Sequence, residues 1–399
     1  MNVMLLTDIP PCKNFTAGIV LEQLCRFLVE DGHKVSCFAI VDPSLNPDIQ
    51  SDLLEVMPYK RVDKPKESWG RHPRVGVYAS FLANNYIARF KLPNISKQAA
   101  DFALLNNADI IWSTIQGQTM IKVVRRAAMK AGKPYTVQVW DPPEWWLSEN
   151  KFDKFTKNSV MNEFGRLLNQ SKACLSASWS MAEEYSTVHK ANCIPVVPGL
   201  DSKIEITPQK REDNDYIIAF AGQIYASAEF NSLLYALEHM NWQHKGKKIR
   251  LVLYGRYFQN LHFNKPANIS IRGWFDQNAA LEEMAAADLL YCPYWFDLTF
   301  EKIARLSFPS KLTSYLKTKR PVLIHAPEYA SPVKFIKKYN AGYICDTLTP
   351  QIIAEQLANI IDKGEGDLVG LRGYNAFLEH LTFETMKSGF YRSLGIERG

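Results

Sequence analysis

Apolar and polar positions along the chain follow a repeating rhythm. Asn2–Thr7 is a short apolar run, and residues 8–18 form a loop carrying Pro10, Pro11 and Gly18. Ile19–Glu30 then places Leu21, Leu24, Cys25 and Leu28 at helical spacing, and Gly32-His33 ends it before a second apolar run, Lys34–Val41. This order predicts strand, loop, helix and strand, the building unit of a parallel sheet. The rhythm returns at Ala108–Ser113, Ile121–Ala131, Tyr135–Val139, Val160–Gln170, Ala173–Ser178 and Ile194–Val197. Asp201–Asp215 is mostly polar or charged and includes Pro208, the character of an interdomain linker. A second series follows: strands at Tyr216–Ala221, Ile249–Tyr254, Ile269–Arg272, Leu289–Cys292 and Val322–His325, with helices at Ala228–Met240, Gln277–Ala287 and Pro309–Thr318.

Two doubly wound α/β domains with a cleft between them are the expected architecture. The divisions fall at residues 1–200, a linker 201–215, a second domain 216–380, and a closing helix within 381–399. Sheets of this kind bind ligands at the C-terminal ends of their strands, where helix N-termini favour anions. Neither the dinucleotide fingerprint Gly-x-Gly-x-x-Gly nor the P-loop is present, which disfavours nicotinamide enzymes and kinases of those kinds.

Composition adds two constraints. With 399 residues, 47% apolar and 22% charged, the chain is globular rather than disordered or fibrous. Its first residues lack a basic lead and reach Asp8 quickly, so they read as a buried strand rather than a signal peptide or membrane span. The seven cysteines show no zinc-ligand spacing, and free thiols in a reducing cytoplasm are the expectation. Between Lys60 and Lys97 nine basic residues meet two acids, a surplus of seven against a net +6 for the whole chain, so the remainder sums to −1.

Several segments, in order, resemble one family. These are Pro10-Pro11 through Thr16-Ala17-Gly18, Gly32-His33-Lys34-Val35, Lys133 through Asp141, Ala173 through Ser178, and Ile194 through Asp201. In the second half they are Phe220-Ala221-Gly222-Gln223-Ile224, Leu253-Tyr254-Gly255-Arg256, Ala286-Ala287-Asp288-Leu289, and Phe308-Pro309-Ser310-Lys311-Leu312 with Arg320-Pro321-Val322-Leu323. Together they resemble the GT-B nucleotide-sugar glycosyltransferases, in particular family 4. The resemblance covers most of the chain. It implies two Rossmann-like domains facing a cleft, acceptor on the first and nucleotide-sugar donor on the second, with a closing helix at Leu381–Leu394 that crosses back to the first. It also implies transfer of a sugar from a nucleoside diphosphate to a glycan or lipid-linked acceptor in cell-surface polysaccharide or glycoconjugate synthesis, retaining and metal-independent. The nucleotide sugar is then a substrate and no cofactor is required.

Site residues carry over by position. Thr16, Ala17 and Gly18 would approach the donor diphosphate, unless they are simply a helix-entry turn. Ser310 and Lys311 at a helix start, and Arg256 beyond a strand, would neutralise the diphosphate; the alternative for Lys311 is a solvated helix lysine. Gly222, Gln223 and Tyr225 would line the nucleoside, and Trp274 would stack on the base or else pack in the core. Trp140, Asp141, Glu144, Trp145 and Trp146 stand in a segment whose prolines, Pro142 and Pro143, predict an extended loop. It reads as an acceptor site or as a packing corner, with Asp141 the carboxylate near the reacting centre.

The pattern also breaks. The family's Glu-x7-Glu pair falls on Leu306 and Ser314, so Glu301, with Asp297, is the substitute catalytic carboxylate if the loop curls back. Its Arg/Lys pair is replaced by Gln223 and by Ala228 or Glu229, and the His before the cleft acid is Trp140. Asp213-Asn214-Asp215 spells a metal-binding Asp-x-Asp but lies in the polar linker, so no metal is implied. The missing carboxylates leave two other readings open: a GT-B-like partner subunit without catalysis, and a sugar-nucleotide epimerase or hydrolase. The run 60–97 interleaves cations with Trp69, Tyr78, Phe81, Tyr86, Ile87 and Phe90. That suits contact with the inner face of a membrane, or else a solvated loop plus a core helix; no nucleic-acid recognition module is visible.

Overall fold

The computed structural model describes residues 1–67, 76–209, 214–255, 258 and 266–397. Two compact units are present: Met1–Val196 together with the chain from Lys387 onward, and Val197–Met386.

The first unit runs β1 (Asn2–Thr7), α1 (Thr16–Glu30), β2 (Lys34–Val41), α2 (Ser51–Val56), β3 (Tyr59–Asp63), α3 (Gly76–Tyr86), a π-helical turn (Ile87–Lys91), α4 (Leu92–Leu105), β4 (Ile110–Ile115), α5 (Gly117–Ala131), β5 (Tyr135–Val139), α6 (Pro143–Glu149), α7 (Lys154–Asn169), β6 (Ala173–Ser176), α8 (Trp179–His189) and β7 (Cys193–Pro195). Its seven strands are parallel in the order β3-β2-β1-β4-β5-β6-β7. Strands β1, β2 and β4 are almost wholly buried, which is why they read as unbroken apolar runs rather than alternating ones.

The second unit runs β8 (Tyr216–Ala221), α9 (Ser227–His239), β9 (Gln243–His244), β10 (Lys247–Tyr254), β11 (Ile269–Gly273), α10 (Gln277–Met284), β12 (Leu289–Pro293), α11 (Glu301–Leu306), α12 (Ser310–Lys317), β13 (Val322–His325), α13 (Ser331–Tyr339), β14 (Tyr343–Cys345), α14 (Pro350–Lys363) and α15 (Gly366–His380). The parallel order is β11-β10-β8-β12-β13-β14, with β9 antiparallel on β10. Residues 201–209, expected as a linker, are seated on this unit: Ile206 is buried, the Gln209 N–H donates to Ala285 O (3.0 Å), and the Lys317 ammonium binds Asp201 O.

Helix α16 (Phe383–Leu394) carries the chain from the second unit into the first. In the first unit the Phe390 ring packs on Trp112 at 4.6 Å, and the Tyr391 hydroxyl donates to Phe27 O (2.6 Å). In both sheets the strand order reverses beside the first strand, β1/β4 and β8/β12, and ligand crevices form at the carboxyl ends of such strands.

Candidate functional site

In the second unit, β8 ends at Ala221 and the chain turns through Gly222, whose φ of +100° favours glycine. Gly255, at the end of β10, has φ +142°, and a Cβ there would stand 3.0 Å from Gly222 O, so the two strand ends pass close together. Over this turn lies the start of α12. Pro309 occupies its N-cap position without a side-chain hydrogen bond, there is no acid in the first turn, and Ser310 is exposed. First-turn N–H groups left without a side-chain cap attract anions.

Lys311 is the second residue of α12. Its ammonium donates to Gln223 O (3.3 Å) and rests 4.2 Å from the Phe220 ring centre and 4.5 Å from that of Tyr225. Part of the side chain still meets solvent, yet the protein crowds the ammonium enough that burial pushes its pKa down to about 8, against a small opposing pull from Cys292. Among the described residues no carboxylate pairs with it. Two hydrogen bonds involving Tyr315, one turn further along, hold α12 to the β8 end: Ala221 N–H donates to its hydroxyl (2.7 Å), which lies 3.4 Å from Ala221 O. The spacing of Lys311 and Tyr315 on one helix face was the only sequence signal for this positioning role.

The aromatic wall beside this turn was not foreseen. Tyr225 is a packed ring rather than an open platform: it lies 4.6 Å from Trp295, whose indole N–H donates to Tyr225 O (3.1 Å), and Trp295 stacks on Phe300 at 5.3 Å. Glu229 is buried and accepts from Phe296 N–H (2.7 Å), which fixes the loop bearing Trp295. Asp297 caps the short turn that follows by accepting from Thr299 N–H (2.8 Å), and these hydrogen bonds hold its carboxyl below the usual range. Glu301 is exposed at the start of α11. Burial and the charges of Glu301, Asp297 and Glu229 raise the pKa of the Tyr329 hydroxyl, so these three acids share one neighbourhood. Leu306 is buried and Ser314 half-buried, and neither supplies a carboxylate. Trp274 follows β11 and is 64% exposed, which removes core packing as its role. Arg256 lies outside the described residues.

In the first unit, α1 begins at Thr16 rather than Ile19, so Thr16, Ala17 and Gly18 form its first turn, with no side-chain cap and no acid. Gly18 is buried, and a Cβ there would lie 2.2 Å from the Cys12 sulfur and 3.0 Å from Pro10 O. The close approach that requires glycine is therefore to the chain's own loop. Thr16 is exposed and Ala17 half-buried beside it.

The Trp-rich segment is corrected as well. Pro142 and Pro143 do not hold it extended; they occupy the N-cap and first position of α6, where the missing N–H of proline costs nothing. Asp141 is half-buried between β5 and this helix, Glu144 is in its first turn, and the indole nitrogens of Trp140 and Trp145 are buried without hydrogen-bond partners. Trp146 packs against Phe152 at 5.8 Å, and its ring would lie 2.9 Å from a Cβ at Gly117, whose φ is +74°. Packing thus accounts for much of Trp146.

Beside Trp146 stands an ionic network that includes residues near the start of the basic run. Lys64 pairs with Asp8 at 3.1 Å, with both side chains nearly buried, and its ammonium lies 5.7 Å from the Trp146 ring centre. Burial pushes the Lys64 pKa down, but Glu67 and Asp8 outweigh it and raise the pKa well above the ordinary lysine value. Glu67 caps α5, accepting from Gln118 N–H (3.1 Å) and Thr119 N–H (2.6 Å). Among the described residues no three His, Cys, Asp or Glu converge as a metal site, and no helix is long and apolar enough to cross a membrane; Asp213 is outside the described residues.

No protein-family model and no curated protein sequence matches the chain. Solved structures do. Anabaena HepE, in complex with UDP and glucose, aligns over 98% of this chain and 99% of its own at 14% identity, with a TM-score of 0.63. Sucrose-phosphate synthase from Thermosynechococcus elongatus aligns over 99% of both chains at 13% identity and a TM-score of 0.66. MurG of Acinetobacter baumannii aligns over 95% of this chain and 97% of its own at 15% identity and a TM-score of 0.51. The fold is GT-B. Within that fold five expected residues of the second unit fall into one group, Gly222, Gln223, Tyr225, Ser310 and Lys311, with Trp274 and Glu301 apart from it in the contacts described, while Asp141, Glu144 and the three tryptophans form a separate group in the first.

Proposed function

We propose that this GT-B protein transfers a sugar from a nucleoside-diphosphate sugar to a glycan or lipid-linked acceptor, with retention and without a metal, in cell-surface polysaccharide or glycoconjugate synthesis. The observation that carries this is the Lys311 ammonium, which stands at the uncapped start of α12, is partly desolvated, and has no described carboxylate partner. A cation in that state favours a bound anion, and a leaving diphosphate supplies one. The acceptor oxygen attacks the anomeric carbon on the face from which the diphosphate departs, the acceptor's hydroxyl proton passes to the departing diphosphate as its bond to the sugar breaks, and Lys311 with the Ser310 N–H offsets the charge that develops. Asp141 is placed near the acceptor hydroxyl in this reading, Trp140, Glu144, Trp145 and Trp146 shape the acceptor side, and Thr16, Ala17, Gly18 and Arg256 complete the diphosphate contacts. Glu301 serves the donor sugar, and Trp274 stacks on the base. The structures of HepE with UDP and with UDP-glucose make UDP the first nucleotide to test.

Isothermal titration against UDP and other nucleoside diphosphates tests this directly. Binding that Lys311→Ala weakens supports the proposal; no binding at sub-millimolar nucleotide overturns it. A second reading, a binding subunit without catalysis, is favoured by Ser314 and Leu306 standing where the carboxylate pair is expected. Nucleotide binding without sugar transfer to any acceptor, and without nucleotide hydrolysis, would select it. The acceptor is read as membrane-borne, with residues 60–97 meeting the inner membrane face.

A further inference from the structure

Helix α3 is built inside out. Its buried stripe is Gly76, Ser80 and Asn84, at every fourth position, small or polar throughout. Asn84 donates to the Ser80 hydroxyl (3.2 Å) and meets the buried Gln118 amide of α5 (3.4 Å), which in turn faces Lys122 (3.4 Å). The outward face carries Val77, Tyr78, Phe81, Leu82 and Tyr86, from 36% to 73% exposed. An ordinary surface helix has the opposite arrangement, because its apolar stripe drives it onto the core. The apolar face continues beyond α3: Phe90, 63% exposed, lies 5.2 Å from Tyr86, and Phe155 of α7, 72% exposed, lies 5.8 Å from Phe81.

Charge indicates what covers this face. No acid occurs between Glu67 and Asp101, whereas Arg89, Lys91 and Lys97 are exposed there, and Lys151 and Lys154 precede Phe155 in sequence and are exposed too. The one acid between those lysines, Asp153, is buried capping α7. Aromatic and aliphatic side chains rimmed by cations suit the boundary of a bilayer rich in anionic lipid. Lys60, Arg61 and Lys64 do not belong to it: the first two are on β3 and Lys64 is engaged with Asp8.

We infer that the outward face of α3, with Phe90 and Phe155, is a docking surface for an anionic lipid bilayer. This rests on the proposed membrane contact of residues 60–97 and narrows it to one helix face. The test is vesicle flotation of the full chain, with UDP titration on the same samples. Wild type should float with phosphatidylcholine vesicles containing phosphatidylglycerol, less with phosphatidylcholine alone, and less at high salt. The triple variant Val77→Asp, Phe81→Asp, Leu82→Asp should lose roughly tenfold or more in vesicle affinity while UDP affinity and thermal melting stay unchanged. Arg89→Ser with Lys91→Ser should lose only the preference for anionic vesicles. Wild type that fails to float while still binding UDP overturns this inference and leaves the nucleotide-sugar reading standing. A variant that floats as well as wild type overturns it, as does a face that instead dimerises the wild type in solution and goes monomeric in the variant.

Discussion

Two lysines at strand-end sites, one in each unit, show how a buried charge is to be read. Lys64 is held between Asp8 and Glu67, and its pKa rises despite burial. Lys311 has aromatic rings and a carbonyl around it but no described carboxylate, and burial brings its pKa down to about 8. The first cation is already neutralised by the fold, so it stabilises. The second has no such partner among the described residues, and under the proposed function the donor diphosphate supplies one. In sequence Lys64 follows a strand and Lys311 stands at a helix start, but neither setting says whether the charge is already paired; that depends on what the fold brings beside each.

Substitutions can break this contrast, and the largest effect belongs to the paired lysine. Lys64→Met leaves Asp8 buried without its partner, and urea unfolding should show a loss of about 3–5 kcal/mol with nucleotide affinity little changed. Lys311→Met should do the reverse: stability unchanged or higher, and nucleoside diphosphate affinity lower by about 2–3 kcal/mol in titration calorimetry, the worth of a charge-assisted contact. If both variants lose stability equally, the distinction between them is wrong.

Smaller effects sharpen the comparison. Asp141→Ala should lower turnover by at least about tenfold, or ~1.4 kcal/mol, with nucleotide affinity nearly constant. Unchanged turnover would return Asp141 to a structural role. The pH dependence has a definite sign: Lys311 is charged below its depressed pKa of about 8 and neutral above it. Anion binding favours the charged form, so nucleotide affinity should be highest below pH 8 and fall roughly tenfold between about pH 7 and pH 9. Lys311→Arg should flatten that profile. Smallest of all, Glu67→Gln should cost about 1 kcal/mol, because the single amide oxygen can accept from only one of the two α5 N–H groups that the carboxylate holds, and the charge is gone.

Strand and helix order was legible because buried parallel strands are unbroken apolar runs and their helices carry an apolar stripe. Tyr216–Ala221 and Val322–His325 were read to the residue for that reason. Three local features were not. The Pro142-Pro143 pair is equally compatible with an extended loop and with a helix start, and α6 is decided by the packing of Trp146 on Phe152 and Gly117. Gly18 was legible as a close approach, but not as an approach to Cys12. In α3, periodicity places apolar residues on a face without saying which way that face turns; Asn84 meeting Gln118 settles it.

By itself the sequence determined the two α/β series and the absence of nucleotide-fold fingerprints of other kinds, because each follows from local spacing along the chain; the candidates Lys311, Ser310 and Asp141 are what the resemblance to a family implies. Only tertiary structure decided which charges are already answered. Asp8 reaches Lys64 across 56 residues of sequence, and Ala221 meets Tyr315 across 94. Such partners are set by which strand ends lie side by side, and electrostatic energy depends on distance and burial in space, neither of which is written in the order of residues.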